Sequence, residues 1–375
     1  MKTREAKIVY VHGHGIHPNR LKLFPAIGSG FIPADYKLPW LHLSNPPRMR
    51  KFSSLILSSI FFPERSKWDL IIGDGPQHLP VMMKKLKLLR SDQKIVPYLA
   101  GEFAYFLATE YYGKRKTKIL LNWFSNWDAY LCSGEMTGEL IRKLIPPKRH
   151  HEIFVVPNLI RQERFVELQN VQPKLQNFRM VFVGNGPSGF RVYYKGLDLM
   201  FKAFEIAKRH LRNLSWTIVG DWSDEVKDSF SQSSNTEDVQ WLGYVPSLQN
   251  VFEESSLYIH CARGDASPNT VVEAMAAGLP ALISEWTGTR ETVKKVDENL
   301  IAPLEPEAIA EKILWYFSLT SAERKKLSER SREVVKENHD ERKVIEIFRN
   351  KVSEMIEYLF EGKLALKNNF LDSCK

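Results

Sequence analysis

Short apolar runs bounded by glycine, aspartate or proline alternate with helical patterns along the whole chain. That alternation is the signature of strand–helix–strand units built on a parallel sheet. In the first half the runs predict strands at Lys7–Val11, Asp69–Ile72, Lys94–Leu99, Ala129–Cys132 and Ile153–Val156. In the second half they predict strands at Met180–Val183, Trp216–Val219, Val239–Trp241, Leu257–His260 and Ala281–Ile283. Each half therefore reads as its own doubly wound α/β sheet. The stretch between them, RQERFVELQNVQPKLQNF (Arg161–Phe178), is polar, glutamine-rich and short of strong structure, which suits an interdomain connection. The expected domains are 1–170 and 171–340. Beyond Ile301 the pattern is helical, and Val344, Ile345, Phe348, Val352, Met355, Ile356 and Leu359 fall on one face of a last helix. Such a stripe needs a partner, so residues 341–375 are expected to bridge the lobes and pack back on the first domain.

Length agrees with two lobes, because 375 residues are too many for one ordinary core. A chain with 43% hydrophobic and 26% charged residues is neither disordered nor fibrous. Cys132, Cys261 and Cys374 form no C-x-x-C pair, which argues against a disulfide or zinc frame. The first residues run into a strand pattern without a leader-like stretch, and no run nears the ~20 apolar residues of a membrane span. The expectation is a cytoplasmic protein. Charge changes the picture: the net +9 is uneven, with 26 basic and 14 acidic residues up to position 170 and 27 and 30 after it. The first lobe carries the basic surface.

The densest chemistry is GDASPNTVVEAMAAGLPALIS, Gly264–Ser284, between two predicted strands. Ser267 suits an N-cap, Pro268 a first helical position and Gly278 a stop, so the spacing predicts a helix over Pro268–Ala277. Its N-terminus leaves the carboxyl edge of the sheet, where the N–H groups of Asn269 and Thr270 favour a phosphate. Glu273 lies about 7–9 Å from that end at the helical rise per residue, roughly the span from a pyrophosphate to the ribose of the same nucleotide. Asp265, before the helix, would face the opposite side of the phosphates, where a donor sugar would lie. The plain alternative for both acids is a solvated helix start favoured by the macrodipole.

An acid, seven residues, then Glu273 and AMAAGLPALIS resemble the E-x7-E segment of the retaining glycosyltransferases of family 4, which have the GT-B fold. Asp265 stands where that family usually has glutamate, one methylene shorter. KGLDLMFKAFEIAKR is similar to the family's Lys-Gly-x-x-x-Leu helix, and WTIVGD, WLGYVP, TGTRETV and NLIAPLEPEAIAEKI follow in its order. FVVPNLI resembles its interdomain Pro-Asn segment. The resemblance covers roughly residues 152 to 318. It implies two Rossmann-like domains facing a cleft and retaining transfer of a sugar from a nucleotide-diphosphate donor to a glycan or lipid-linked acceptor. No metal or other cofactor is implied, because a basic pair meets the growing charge on the leaving diphosphate. Lys195, opening a helix, would be one of the pair, and Arg191 in the loop of GNGPSGFRVYYKG is either the second or simply solvated. Gly243, Tyr244 and Val245 resemble the loop that meets the nucleotide base, and Thr287, Gly288, Thr289 and Glu291 stand where the family has a Gly-Gly-x-x-Glu loop. The same resemblance implies a same-face reaction in which the leaving phosphate helps deprotonate the acceptor, so no enzymic nucleophile is needed.

In the first lobe, Gly13 and Gly15 sit in a loop after the first strand, as in the family's N-terminal loop near donor phosphates and acceptor. His12, His14 and His17 lack cysteine or carboxylate partners nearby and are not read as a metal site. Where the family commonly has a histidine this chain has Ala100, Gly101 and Glu102; Glu102 either orients an acceptor hydroxyl or is an ordinary loop acid. The apolar segment Phe52–Phe62 flanked by cations, with KKLKLLR and GKRKTK nearby, reads either as a buried helix or as a peripheral contact with an anionic membrane's inner face. Two further readings stay open, a non-catalytic GT-B binding protein and a basic nucleic-acid-binding protein. Nothing resembles an aromatic–basic RNA motif or a DNA-reading helix, which disfavours nucleic acid as a partner.

Overall fold

The computed structural model describes residues 4–13, 15–34, 48–186, 189–231 and 236–366. Contacts divide the chain into two units, residues 1–157 with 345–375 and residues 158–344.

The first unit holds a six-stranded parallel sheet: β1 (Ile8–His12), β2 (Gly30–Pro33), β3 (Leu70–Asp74), β4 (Lys94–Leu99), β5 (Tyr130–Ser133) and β6 (Ile153–Val156). Its order is β2-β1-β3-β4-β5-β6. The second unit holds β7 (Arg179–Val183), β8 (Ser215–Val219), β9 (Val239–Gly243), β10 (Leu257–His260), β11 (Ala281–Ser284) and β12 (Ile301–Ala302), in the order β9-β8-β7-β10-β11-β12. Every pairing in both sheets is parallel. The strands are near-continuous apolar runs because helices cover both faces of such sheets. Each sheet reverses its strand order once, between β1 and β3 and between β7 and β10, and ligands of doubly wound folds bind beyond the carboxyl ends at those points.

All ten strands expected from the sequence are present, shifted by at most two residues at an end. Two were missed. β2, sequence GFIP, lies at the sheet edge and is only half-buried, so it lacks a core strand's apolar run; β12 has only two residues. A third short pairing, Arg4–Glu5 with Leu364–Ala365, joins the two ends of the first unit.

The polar stretch read as a connection contains helix α3 (Gln162–Gln169). Phe165 and Leu168, three residues apart, are buried on one face, and those two apolar positions anchor an otherwise polar helix. The last helix (Glu341–Phe360) buries Val344, Phe348, Val352, Met355 and Ile356. Within the first unit Phe348 packs edge-on against Phe24, with centroids 5.4 Å apart, and the Arg349 guanidinium donates to the carbonyl of Ala26.

Candidate donor site in the second unit

The loop after β10 is pinned by two close backbone approaches. A Cβ on Gly196, at φ +69°, would fall 1.9 Å from the carbonyl oxygen of Cys261, and one on Gly288 would fall 1.8 Å from that of Ala266. Only glycine fits either place. The Gly288 N–H donates to the Asp265 carbonyl at 2.7 Å and the Gly264 N–H to that of Trp286 at 3.0 Å. These contacts set Lys195 beside Asp265. Lys195 closes the short helix α4 (Gly189–Lys195), and α5 (Leu197–His210) follows after Gly196, so Lys195 ends a helix rather than opening one.

The Lys195 ammonium donates to Asp265 Oδ2 at 2.6 Å, and His260 Nε2 lies 3.0 Å from the same oxygen. Asp265 is 5% exposed and His260 fully buried. Burial opposes ionisation of the Asp265 carboxyl, but the Lys195 charge and the His260 hydrogen bond outweigh it and hold the group far below the carboxylate range. Burial lowers the His260 pKa, leaving the ring neutral with one N–H. The Tyr258 hydroxyl stands 3.4 Å from His260 Nδ1 and donates to Thr270 Oγ1 at 2.8 Å. A run of polar contacts thus leads from Lys195 through Asp265, His260 and Tyr258 to Thr270. His260 and Tyr258 were missed from sequence; two polar residues at strand spacing in the otherwise apolar LYIHCA were the available signal.

Thr270 lies in the first turn of helix α6 (Asn269–Ala276). Pro268 is the N-cap, one residue later than the sequence suggested, and Ser267 does not cap: its Oγ is buried without a hydrogen-bond partner. The pinned loop sets this backbone path, overriding the serine's local preference. Gly278, at φ +85°, stops the helix as expected, with N–H bonds from Leu279 to Ala274 and from Gly278 to Met275. Arg332 adds a cation at that end, donating to the carbonyls of Ala276 and Ala277 at 2.9 and 2.7 Å.

Glu273 sits one turn in from Asn269. Burial raises its pKa, against the pull of Arg164, whose Nε lies 3.6 Å from Oε1. Arg164 comes from α3, the segment read as linker, and is also bonded to Glu167 at 2.7 Å. Glu273 and Thr270 line a cavity of about 580 Å³ with Arg161, Arg164, Tyr244 and Val245. It opens beyond the carboxyl ends of β7, β8 and β9. Gly243, at φ +64°, ends β9, and Tyr244 is 74% exposed.

The structure therefore brings Thr270, Glu273, Tyr244 and Val245 together around the cavity and pairs Lys195 with Asp265. Lys195, Asp265 and Arg191 are outside the cavity lining. Arg191 is helical, not in a loop, and its guanidinium lies over the Tyr194 ring at 5.6 Å. The Asn269 side chain accepts from Asn158 Nδ2 at 2.5 Å.

Gly13, Gly15 and Glu102 belong to the first unit. Gly15 has φ +75°, whereas Gly13 has room for a side chain. Glu102 is the N-cap residue of helix α2 (Phe103–Ala108), without a side-chain capping bond. His12 Nδ1 lies 2.8 Å from the Gly13 carbonyl and His17 caps the helix Pro18–Leu23; His14 lies outside the described residues. At this sheet's reversal point Arg20 Nε donates to Asp74 Oδ1 at 3.0 Å, beside the buried Tyr10 and Tyr98. Burial raises both phenols, so they stay neutral.

Residues 188–334 match the family model described as Glycosyl transferases group 1. This part of the chain is a glycosyl transferases group 1 domain. The group 1 domain lies within the second unit and contains Arg191, Lys195, Asp265 and Glu273. An uncharacterized glycosyltransferase of Methanocaldococcus jannaschii is 28% identical over 126 residues, 32% of this chain and 32% of that protein. The chain thus spans about a third of the length of the curated relatives it matches. Among solved structures, Anabaena HepE in complex with UDP-glucose has a TM-score of 0.66 at 14% identity, covering 93% of this chain and 99% of that one. WaaG, a glycosyltransferase involved in lipopolysaccharide biosynthesis, has a TM-score of 0.63 at 13% identity over 90% and 97%. These likenesses establish the fold as GT-B, with the group 1 domain as one of its two Rossmann-like domains.

Proposed function

We propose that the protein is a retaining glycosyltransferase of family 4 that moves a hexosyl group from a nucleoside-diphosphate sugar to a glycan or lipid-linked acceptor without a metal. The observation that carries this reading is the run of polar contacts from the Lys195–Asp265 pair through His260 and Tyr258 to helix α6, whose Thr270 and Glu273 line the cavity. In this reading the nucleoside occupies the cavity, with Glu273 on the ribose hydroxyls and Tyr244 and Val245 at the base. The first turn of α6, with Asn269 and Thr270, meets the diphosphate. Asp265 holds the sugar, and Lys195 offsets the charge that grows as the anomeric carbon–phosphate oxygen bond breaks. The acceptor oxygen bonds the same face of the anomeric carbon, and its proton passes to the departing phosphate oxygen. Arg191 is the second cation, Gly13 and Gly15 let the backbone approach the donor phosphates and the acceptor, and Glu102 orients the acceptor hydroxyl.

HepE was solved with UDP-glucose, which supports a nucleotide-sugar donor. WaaG's part in lipopolysaccharide biosynthesis supports a lipid-linked acceptor. Helix α1 (Arg48–Ile60) ends at the exposed Ile60 and Phe61, close in sequence to Arg65 and Lys67, which supports a peripheral contact with an anionic membrane from the cytoplasmic side. Among the described residues no helix is long and apolar enough to cross a membrane.

The test is thermal stabilisation by UDP-, GDP- and ADP-sugars in EDTA, beside Glu273→Ala. Stabilisation by one nucleotide class, lost in the variant, is the expected result. A flat response of the wild type to every donor would overturn the reading. Donor binding with neither hydrolysis nor transfer across an acceptor panel would instead favour a non-catalytic GT-B protein.

A further inference from the structure

His260 has no part in the chemistry proposed above, yet it occupies the centre of the charged cluster. It is fully buried, in a strand whose other side chains pack the core. An imidazole in such a place costs free energy unless its nitrogens are satisfied, and an aliphatic side chain would fill the strand position without that cost. Nε2 meets Asp265 Oδ2 at 3.0 Å, while Nδ1 faces the Tyr258 hydroxyl at 3.4 Å, whose proton is turned to Thr270 Oγ1. The tautomer follows from chemistry. A carboxylate only accepts, so the proton of the neutral ring sits on Nε2.

The second observation is where the bonds fall on the carboxylate. Lys195 and His260 both use Oδ2. Oδ1 takes neither bond. The ring plane is held in turn by the aromatic side chains of Phe182 and Tyr258, with centroids 5.5 and 6.2 Å away.

We infer that His260 is a positioning residue for Asp265: with Lys195 it captures Oδ2, fixes the carboxylate's rotation and leaves Oδ1 for the donor's sugar hydroxyls. This rests on the reading of Asp265 as the sugar-holding acid. Here the shorter aspartate has little reach of its own, and a fixed rotation sets where its one uncommitted oxygen stands. Through Tyr258 the same ring is linked to Thr270 in the first turn of α6, so the sugar-holding and phosphate-facing groups share one rigid frame.

The experiment compares affinity for UDP with that for UDP-glucose, and likewise GDP with GDP-mannose and ADP with ADP-glucose, in wild type, His260→Phe, His260→Gln and Asp265→Asn. Glutamine keeps an N–H donor near the Nε2 position; phenylalanine keeps the ring and loses it. The expected result is that His260→Phe leaves the free nucleotide's affinity within about twofold but lowers that of its sugar ester by about tenfold or more, as for a lost hydrogen bond to a charged group. His260→Gln should recover most of that loss, and Asp265→Asn should share it. An unchanged sugar increment in His260→Phe, while Asp265→Asn loses it, would overturn the inference and leave the functional reading standing. Equal losses for nucleotide and ester with a lowered Tm, unrescued by glutamine, would make His260 merely structural and also overturn it. A wild type that binds none of the ligands would bring down the functional reading itself.

Discussion

The two sheets place polar groups at equivalent points and treat them differently. Beyond the reversal between β7 and β10, Asp265, His260 and Tyr258 are buried, and the Asp265 carboxylate, 8% exposed, takes bonds from both Lys195 and His260. Beyond the reversal between β1 and β3, the pair is Arg20 and Asp74, with side chains 17% and 25% exposed, beside two neutral phenols. Parallel topology thus chooses where chemistry goes, and burial decides its kind. A buried carboxylate fixed by two donors is preorganised for a charged ligand. The Asp74 carboxylate, three times as exposed and bonded by one cation, is held less firmly.

The largest effect expected from this contrast is on stability. Lys195→Met strands a buried carboxylate and should destabilise the second unit by about 3–5 kcal/mol in denaturant unfolding. Asp74→Asn, in the more open pair, should cost no more than about 1 kcal/mol. Equal costs would erase the contrast.

Acid sharpens it next. His339 is buried in the second unit, with Nδ1 2.7 Å from the Asn158 carbonyl and Nε2 2.8 Å from Thr292 Oγ1, and burial pushes its pKa down to about 4. Its folded pKa lies below the unfolded value, so the unfolded state binds the extra proton and stability falls as pH drops from about 6.5 towards 4. The loss should be on the order of 3 kcal/mol. His339→Gln should flatten that part of the pH–stability profile.

A smaller effect belongs to Arg164. Its charge opposes the burial that raises the Glu273 pKa. Arg164→Gln should therefore move the acidic loss of nucleotide binding to higher pH, and weaken binding at neutral pH by about threefold to tenfold, measured by titration calorimetry. The smallest is Tyr258→Phe, which removes the link to Thr270 and should lower the melting temperature by only a few degrees, in line with about 1 kcal/mol for one hydrogen bond.

Much of this arrangement was legible beforehand because parallel strands are apolar runs and Glu273 falls one turn in from a helix start marked by proline. Lys195 and Asp265, 70 residues apart, could be named separately, but their contact depends on Gly196 and Gly288 closing on the backbones of Cys261 and Ala266. No local pattern encodes such a long-range fit. Arg164 was hidden for a related reason: α3 has only two buried apolar anchors, so a helix that forms by packing read as a linker. Ser267 shows the converse, a good capping residue overruled by the loop holding it.

The Arg332 guanidinium donates to Gln169 and Val171 as well as to Ala276 and Ala277, tying the rear of α6 to the end of α3 and the chain just after it. Mechanically, α6 is a beam held at both ends, by Arg332 at its last turn and by Asn158 and Tyr258 at Asn269 and Thr270 in its first.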